Sequence, residues 1–416
     1  MNYHKLMTVD KLKVRNKVVF LRLDLNVPVD KTEITSFKRI NATLPTIQYL
    51  LEQDAKIVIL SHFGRPKTKD DLKSGKFSLR IVAKALGEKV KQFNPHKFTF
   101  IAENKGMKVE EQIKTMQPKD IIVLENTRFN DIDPSSGELI NLESGCDVQL
   151  AKYWANLCDV FVNDAFGAAH RKHASTYGIG KYNRKNAIGF LMKEELKTLS
   201  SVVKTAQKPF VVIFGGAKIS DKLKAVNAVI QKADKVIISG GMAYTFVAAQ
   251  GFDVGKSMVE ESMIPTAKEL MMNYKDKICI SCDFMCSPSF SDTKPVYKTQ
   301  EEGLGQYMGL DIGEKSIAEF KKVIATANTV LWNGPMGVTE FKNYAKGTNE
   351  ICEAIAKRTK AGAFTVIGGG DSAAAAEKLK KESSFSFIST GGGASLKLIE
   401  GSELEGIASI KTRFFV

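Results

Sequence analysis

The chain has 416 residues, 44% of them hydrophobic and 25% charged, enough to bury the cores of two or three domains of about 100–200 residues. No apolar run approaches the ~18 residues of a membrane span. The formal net charge of +14 fits solvated surface lysines or anionic partners; the lysines are dispersed, with no RNA-binding or helix-turn-helix signature, which argues against nucleic acid and keeps phosphorylated small molecules in view. The opening stretch MNYHKLMTVDKLKVR has no apolar run of the secretion-signal kind, so a cytoplasmic protein is expected.

The first half alternates strand-like and helix-like runs. Residues 18–25 (VVFLRLDL) open as a strand and break at Asn26-Val27-Pro28. Ile40, Leu44, Ile47, Leu50 and Leu51 keep helical spacing, with Pro45 an awkward resident if that helix extends well upstream. Further strands are predicted over 56–60, 98–102, 121–124 and 159–163. Near-continuous apolar runs with helices between them read as a parallel sheet covered on both faces.

Polar residues gather where these strands end: Asp24-Leu25-Asn26, Ser61-His62-Phe63-Gly64-Arg65, Glu125-Asn126-Thr127-Arg128, and the run from Asp164 to His170-Arg171. In an open parallel sheet the ligand crevice lies beyond the carboxyl ends of the strands. With Arg39, placed just before the first helix, this edge collects Arg39, Arg65, Arg128 and Arg171 with two histidines. Each arginine alone fits a surface ion pair. Together their planar forks suit a small, multiply anionic ligand.

Residues 189–206, GFLMKEELKTLSSVVKTA, read as an amphipathic connecting helix with Leu191, Glu194, Leu199 and Val202 or Val203 on one stripe. Hinge motion about it is an expectation. Beyond it one device recurs: FVVIFGGAK (210–218), VIISGGMA (236–243), TVIGGGDSAA (365–374) and FISTGGGAS (387–395) each pass from an apolar run through glycines to a helical start. With strands at 278–282 and 330–332 this makes a second doubly wound sheet. The fold class is therefore α/β: two doubly wound parallel-sheet, Rossmann-like domains joined by a helical hinge.

The third of these turns is the most telling. Gly368 to Gly370 let backbone N–H groups approach a ligand, and the helix start adds partial positive charge, so a phosphate suits it. Asp371, with Ser372 at the same helix start, would repel that phosphate unless a cation lay between them. A magnesium nucleotide meets both demands. Two rivals fail on spacing. Gly255-Lys256-Ser257 imitates the end of a P-loop, but Gln250 stands where its first glycine belongs, and no turn supplies G-x-G-x-x-G.

Six cysteines include Cys279-x-x-Cys282-x-x-x-Cys286, yet a metal cluster needs a fourth converging ligand, and all five histidines lie in the first half. Cys279 and Cys282 fall in the expected strand KICISC, pointing to opposite faces, and buried free thiols are predicted.

RLDLNVP, SHFGRP, LENTRF, NDAFGAAHRKHAS, GFLMKEEL, FGGAKISDKL, SGGMAYTF, WNGPMGVTEF, IGGGDSAA and STGGGASL follow one another over essentially the whole chain. In that order they resemble the phosphoglycerate kinase family. Phe63, Ala168 and Ser372 replace the family's usual residues without removing a charge or a glycine. The resemblance implies reversible phosphoryl transfer between 1,3-bisphosphoglycerate and Mg-ADP, giving 3-phosphoglycerate and Mg-ATP. The implied division is 1–188 for 3-phosphoglycerate, 189–206 as connecting helix, 207–400 for ADP or ATP, and 401–416 as a tail packing back on the first domain.

By the same resemblance Asp24 and Asn26 orient the glycerate, while His62, Arg65, Arg128 and Arg171 hold its distal phosphate. Gly216, Ala217, Gly241, Gly309 and Gly334 line the adenosine pocket, and Glu340 takes the ribose. Lys222 takes the nucleotide phosphates and Asp371 the magnesium, with Gly370 and Ser372 beside it. Arg39 and Lys218 form the clamp on the transferring group, and backbone N–H groups near Gly369 and Gly392 add uncharged donors. Phosphoryl transfer asks mainly for positioning and charge neutralisation, so no covalent enzyme intermediate is expected. The implied state is a monomer that needs neither membrane nor nucleic acid. A non-catalytic anion-binding protein remains the rival from another class, and it leaves Asp371 and the glycine turns without a purpose.

Overall fold

The computed structural model describes residues 3–412. Its strands, in chain order, are β1 (Val18–Arg22), β2 (Lys56–Leu60), β3 (Phe98–Ile101), β4 (Ile121–Leu124), β5 (Val160–Asn163), β6 (Asn186–Ile188), β7 (Phe210–Phe214), β8 (Lys235–Ile238), β9 (Ile278–Ile280), β10 (Asp283–Ser287), β11 (Val296–Thr299), β12 (Met308–Ile312), β13 (Thr329–Asn333), β14 (Phe364–Ile367) and β15 (Phe387–Ile388); a two-residue hairpin, Val29–Asp30 with Glu33–Ile34, stands apart. The chain divides into two compact units, residues 1–197 with 403–416, and residues 198–402.

The first unit holds a six-stranded sheet in the order β3-β4-β2-β1-β5-β6, every pair parallel. The runs IIVL and VFVN are buried at every position, as strands covered on both faces require. The first helix spans Lys38–Glu52 and runs straight through Pro45, so Arg39 sits in its first turn rather than before it. An interior proline costs about 3 kcal/mol. Ile40, Ile47, Leu50 and Leu51 are buried along that helix, at about 1.5–3 kcal/mol each, and their sum wins. From Glu403 the chain returns to this unit: Met7 N–H donates to the Lys411 carbonyl at 2.8 Å, and Leu6 bridges Thr412. Phe414 to Val416 lie outside the described residues.

The second unit holds a parallel sheet in the order β9-β8-β7-β13-β14-β15. The chain reverses its direction of travel across the sheet between β7 and β13, the point at which doubly wound folds leave a crevice. A three-stranded antiparallel sheet, β11-β10-β12, was not legible in the sequence. Of its strands, β11 (VYKT) has no fully buried position to mark it. It shares a small core with Tyr244, Val247, Phe284 and Leu304.

The connecting helix is Phe190–Thr205. Its buried face passes through Met192, Glu195, Leu196, Leu199 and Val202. The expected stripe is thus one residue out at its start: Leu191 is half-buried and Glu194 exposed. The unit boundary falls inside this helix, after Lys197. All six cysteines are free; Cys286 is buried, but Cys279 and Cys282 are only half-buried, and Cys282 lies past the end of β9. Among the described residues no helix is long and apolar enough to cross a membrane.

Candidate active site

In the first unit, the turns after β1, β2, β4 and β5 bring the expected cations together. Arg39 Nη1 donates to both carboxylate oxygens of buried Asp24, at 3.0 and 2.9 Å, and to the Asn26 carbonyl at 3.0 Å. The Asn26 side-chain oxygen accepts the Gly64 N–H at 2.8 Å, and the Gly64 carbonyl accepts from Arg128 Nη1. Asn126 ties the turns from beneath, accepting from the Phe63 and Arg128 N–H groups at 3.1 Å and donating to the Phe77 carbonyl at 2.9 Å. Arg171 lies beside His170, Nε to Nε2 at 3.0 Å. Arg65 is exposed and makes no hydrogen bond or ion pair among the described residues.

These cations act on one another. Burial, then Arg171, Arg22 and Arg65, bring the Arg128 guanidinium down to about 10. Burial and Arg65 lower Arg171 as well. Burial, followed by Arg22, Arg128, Arg39 and His173, holds the His62 imidazole well below its ordinary range. His173 is pushed down to about 3 by burial, then by Arg22, Arg128, Arg171 and His170. Five arginines (22, 39, 65, 128 and 171) thus face three carboxylates, Asp24, Asp131 and Glu143. Such an excess of mutually repelling charge, with Arg22 and Arg128 buried, is relieved by an anion of more than one negative charge.

In the second unit, a cavity of about 600 Å³ opens between the turns after β7 and β13, the size of a small-molecule site. Gly216, Ala217, Gly241, Gly309, Glu340 and Asp371 line it. Backbone bonds set the turns: Gly216 N–H donates to the Pro335 carbonyl at 3.0 Å, and Met242 N–H to the Gly216 carbonyl at 3.0 Å. A Cβ at Gly309 would stand 2.0 Å from the Tyr244 hydroxyl, so only glycine fits against that wall. Gly369 caps the helix Gly370–Lys378, and Gly392 begins Gly392–Ile399. A Cβ on Gly392 would come within 3.1 Å of the Gly370 nitrogen, so these two helix starts lie backbone to backbone.

Of the expected nucleotide residues, Lys218, Lys222, Gly334, Gly369, Gly370 and Ser372 do not line the cavity. Gly334 is absent from the cavity lining; its N–H donates at 2.7 Å to the hydroxyl of Ser372, which is wholly buried by that bond between turns. Lys222 donates to the Asn333 carbonyl at 3.1 Å and side-chain oxygen at 2.6 Å. Burial lowers its amine to about 8 against the pull of Asp371 and Asp221. Lys218 is exposed. Asp371 is exposed in the first turn of its helix, and its carboxylate makes no hydrogen bond or ion pair among the described residues. A hard oxygen donor at the edge of that cavity fits Mg²⁺, which takes one or two carboxylates and leaves the rest of its shell to substrate phosphates and water.

The residues missed in the sequence are Arg22, Glu143, His173 and Ser175 beneath the arginines, and Met258, Phe290 and Met308 in the cavity wall. One signal was present: Arg22 interrupts an otherwise apolar strand, and a buried guanidinium demands partners. Lys256 and Ser257 of the rejected P-loop also border the cavity, Ser257 accepting the Gly309 N–H at 3.0 Å.

A family model described as phosphoglycerate kinase matches residues 9–402. A phosphoglycerate kinase of Enterococcus faecalis is 47% identical over 407 residues, covering 98% of this chain and 99% of the relative. One from Mycoplasma pneumoniae is 48% identical over 414 residues, covering 98% and 99%. Among solved structures, phosphoglycerate kinase from Coxiella burnetii is similar with a TM-score of 0.79 and 34% identity, covering 97% of this chain and 98% of that one. The enzyme from Pyrococcus horikoshii gives a TM-score of 0.81 at 32% identity, with the same coverage. On motifs, fold and near-complete matches alike, the chain belongs to the phosphoglycerate kinase family.

Proposed function

We propose that the arginine cluster of the first unit holds the phosphoglycerate and that the cavity of the second holds the magnesium nucleotide. The reaction they serve is the family's: reversible phosphoryl transfer between 1,3-bisphosphoglycerate and ADP, forming 3-phosphoglycerate and ATP in glycolysis. The observation that carries the assignment is the contrast in donors. The first site offers excess guanidinium charge, suited to a phosphate and a carboxylate on one small molecule. The second offers a roomy opening walled by methionines and a phenylalanine, with two carboxylates and helix N-termini at hand.

Within this reading Arg65, Arg128, Arg171 and neutral His62 hold the distal phosphate, and Asp24 and Asn26 orient the glycerate. Gly216, Ala217, Gly241 and Gly309 receive the adenosine, Glu340 the ribose, and Lys222 the phosphates. Bound at Asp371, Mg²⁺ would supply charge to the nucleotide phosphates. Arg39 and Lys218 neutralise the oxygens of the group in flight, assisted by N–H groups near Gly369 and Gly392. The nucleophile and the leaving group are both substrate oxygens, so the protein forms no covalent intermediate.

Direct in-line transfer requires the two substrates to meet, and an acyl phosphate must be kept from water. We therefore propose closure about the connecting helix as the step before chemistry; small-angle scattering should show compaction only with both substrates present. Each half-site is completed within one chain, which supports a monomer, and its phosphorylated metabolites support a cytoplasmic setting. A coupled assay with 3-phosphoglycerate and Mg-ATP tests the assignment: activity should vanish with a chelator and return with magnesium. Turnover that ignores the chelator rejects the role of Asp371.

A further inference from the structure

Beneath the arginine cluster a buried chain of groups, Glu143, Ser175 and Arg22, leads up to His62. Glu143, in the loop between β4 and β5, is completely buried. Its carboxylate accepts the Ser175 N–H at 2.9 Å and also the Ser175 hydroxyl proton, while its backbone carbonyl accepts the Ala174 N–H at 2.9 Å. Ser175 Oγ in turn accepts Nε–H of the fully buried Arg22 at 2.8 Å. Arg22 Nη2 then lies 3.1 Å from His62 Nδ1. The direction of each bond is fixed by what the groups can do. A guanidinium has donors only, so His62 Nδ1 is the acceptor, and a neutral ring must carry its one proton on Nε2. The hydroxyl gives its proton to Glu143 because an ionised carboxylate accepts and has no proton to offer, while the Ser175 oxygen takes the Arg22 proton on a lone pair.

The ring is also kept uncharged. His62 is buried, and the groups facing it are Arg22, Arg128, Arg39 and His173, all of which disfavour a second proton. Glu143 and Asp24 are the carboxylates that counter Arg22 in its buried position. Without Glu143 the Ser175 hydroxyl loses its acceptor and Arg22 loses one of its two counter-charges, so the guanidinium is held against His62 only by its bond to the Leu23 carbonyl, an unanchored Ser175 and Asp24. His173 Nδ1, 3.9 Å from Glu143 Oε1, belongs to the same layer.

We infer that Glu143 is a positioning residue of the glycerate site, which through Ser175 and Arg22 holds His62 as a neutral donor with its proton on Nε2. The inference rests on the reading that the cluster binds 3-phosphoglycerate. Its consequence is chemical: among charged forks the anion meets one uncharged, directional donor whose proton does not wander between nitrogens. Glu143 touches no substrate and acts only through its neighbours.

The test is nitrogen-15 NMR of the histidine rings in the intact enzyme, joined to steady-state kinetics. In the wild type at neutral pH, His62 should show the pattern of a neutral ring protonated at Nε2, and its signal should move on titration with 3-phosphoglycerate. Glu143→Gln keeps the shape and removes the charge. It should raise KM for 3-phosphoglycerate about tenfold, or about 1.4 kcal/mol, leave KM for Mg-ATP within about twofold, and mix the two tautomers. A wild-type ring that is cationic or protonated at Nδ1 overturns the inference. So does a folded Glu143→Gln enzyme with unchanged His62 pattern and unchanged KM. Should that variant not fold, Ser175→Ala breaks the same relay and is judged by the same readings. A His62 signal that ignores 3-phosphoglycerate in the wild type overturns the site reading itself, and the positioning role falls with it.

Discussion

In the first unit the groups that meet beyond the strand ends are side chains, and in the second they are mostly backbone. Arg39, Arg65, Arg128 and Arg171 stand on four different segments, with Arg39 held by Asp24 and the Asn26 carbonyl and Arg128 by Asn126 and the Gly64 carbonyl. The cavity of the second unit is instead shaped by glycine turns hydrogen-bonded to one another, with Tyr244 pressed against Gly309. Both sit where parallel strands end, so the fold chooses the place and not the chemistry. A site made of charges binds strongly and is sensitive to neighbouring charge. A site made of turns binds by fit, and it fails when an atom is added.

Four experiments press on that contrast. The largest effect should come from Arg39→Ala, which under the proposed function removes a preorganised donor from the transferring group: kcat should fall by about 10²–10³, with KM for 3-phosphoglycerate changed far less. Steady-state kinetics decide it, and equal losses in both constants would reject a transition-state role. Arg128→Ala comes next. Losing charge-assisted hydrogen bonds worth about 1.5–3 kcal/mol should raise KM for 3-phosphoglycerate about 10- to 100-fold, with KM for Mg-ATP unmoved. The counterpart is Gly309→Ala, whose methyl meets Tyr244; overpacking of about 1–3 kcal/mol should raise KM for Mg-ATP about tenfold and leave 3-phosphoglycerate untouched. Cross-effects between these two variants would break the separation of the sites.

The smallest effect is one of pH. Lys222 is charged below about 8 and neutral above it, because burial lowers its amine. Nucleotide phosphates favour the charged form, so KM for Mg-ATP should rise a few-fold between about pH 7 and 9. KM for 3-phosphoglycerate should stay nearly level, since Arg128 keeps its charge up to about 10. Parallel pH profiles for the two substrates would contradict the contrast.

The charge-built site was the more legible in sequence. Arginines after strands announce themselves, and β1, β2, β4 and β5 place them together as the apolar runs require. What escaped was the support underneath. Glu143 and Ser175 reach Arg22 through contacts 121 or more residues apart in sequence for Glu143 and 153 for Ser175, and no local period encodes such a pairing. The backbone-built site was legible only in outline. Glycine runs marked the turns, yet Gly334 and Ser372 turned out to bind each other, and β12, which brings Met308 and Gly309 to the cavity, left no clear pattern. Pro45 shows the same limit from the other side: the proline argued only against the helix extending well upstream of it, where buried Ile40 and Thr43 hold the first turns in place.

One crystal addresses the central claim most directly, that each substrate has its own unit and its own kind of donor. The enzyme grown with 3-phosphoglycerate and Mg-ADP should show the glycerate phosphate within hydrogen-bond reach of Arg65, Arg128 and Arg171, and the nucleotide in the cavity lined by Gly216, Gly309 and Glu340 with its magnesium on Asp371. Both ligands on the same unit, or the nucleotide outside that cavity, would contradict the account.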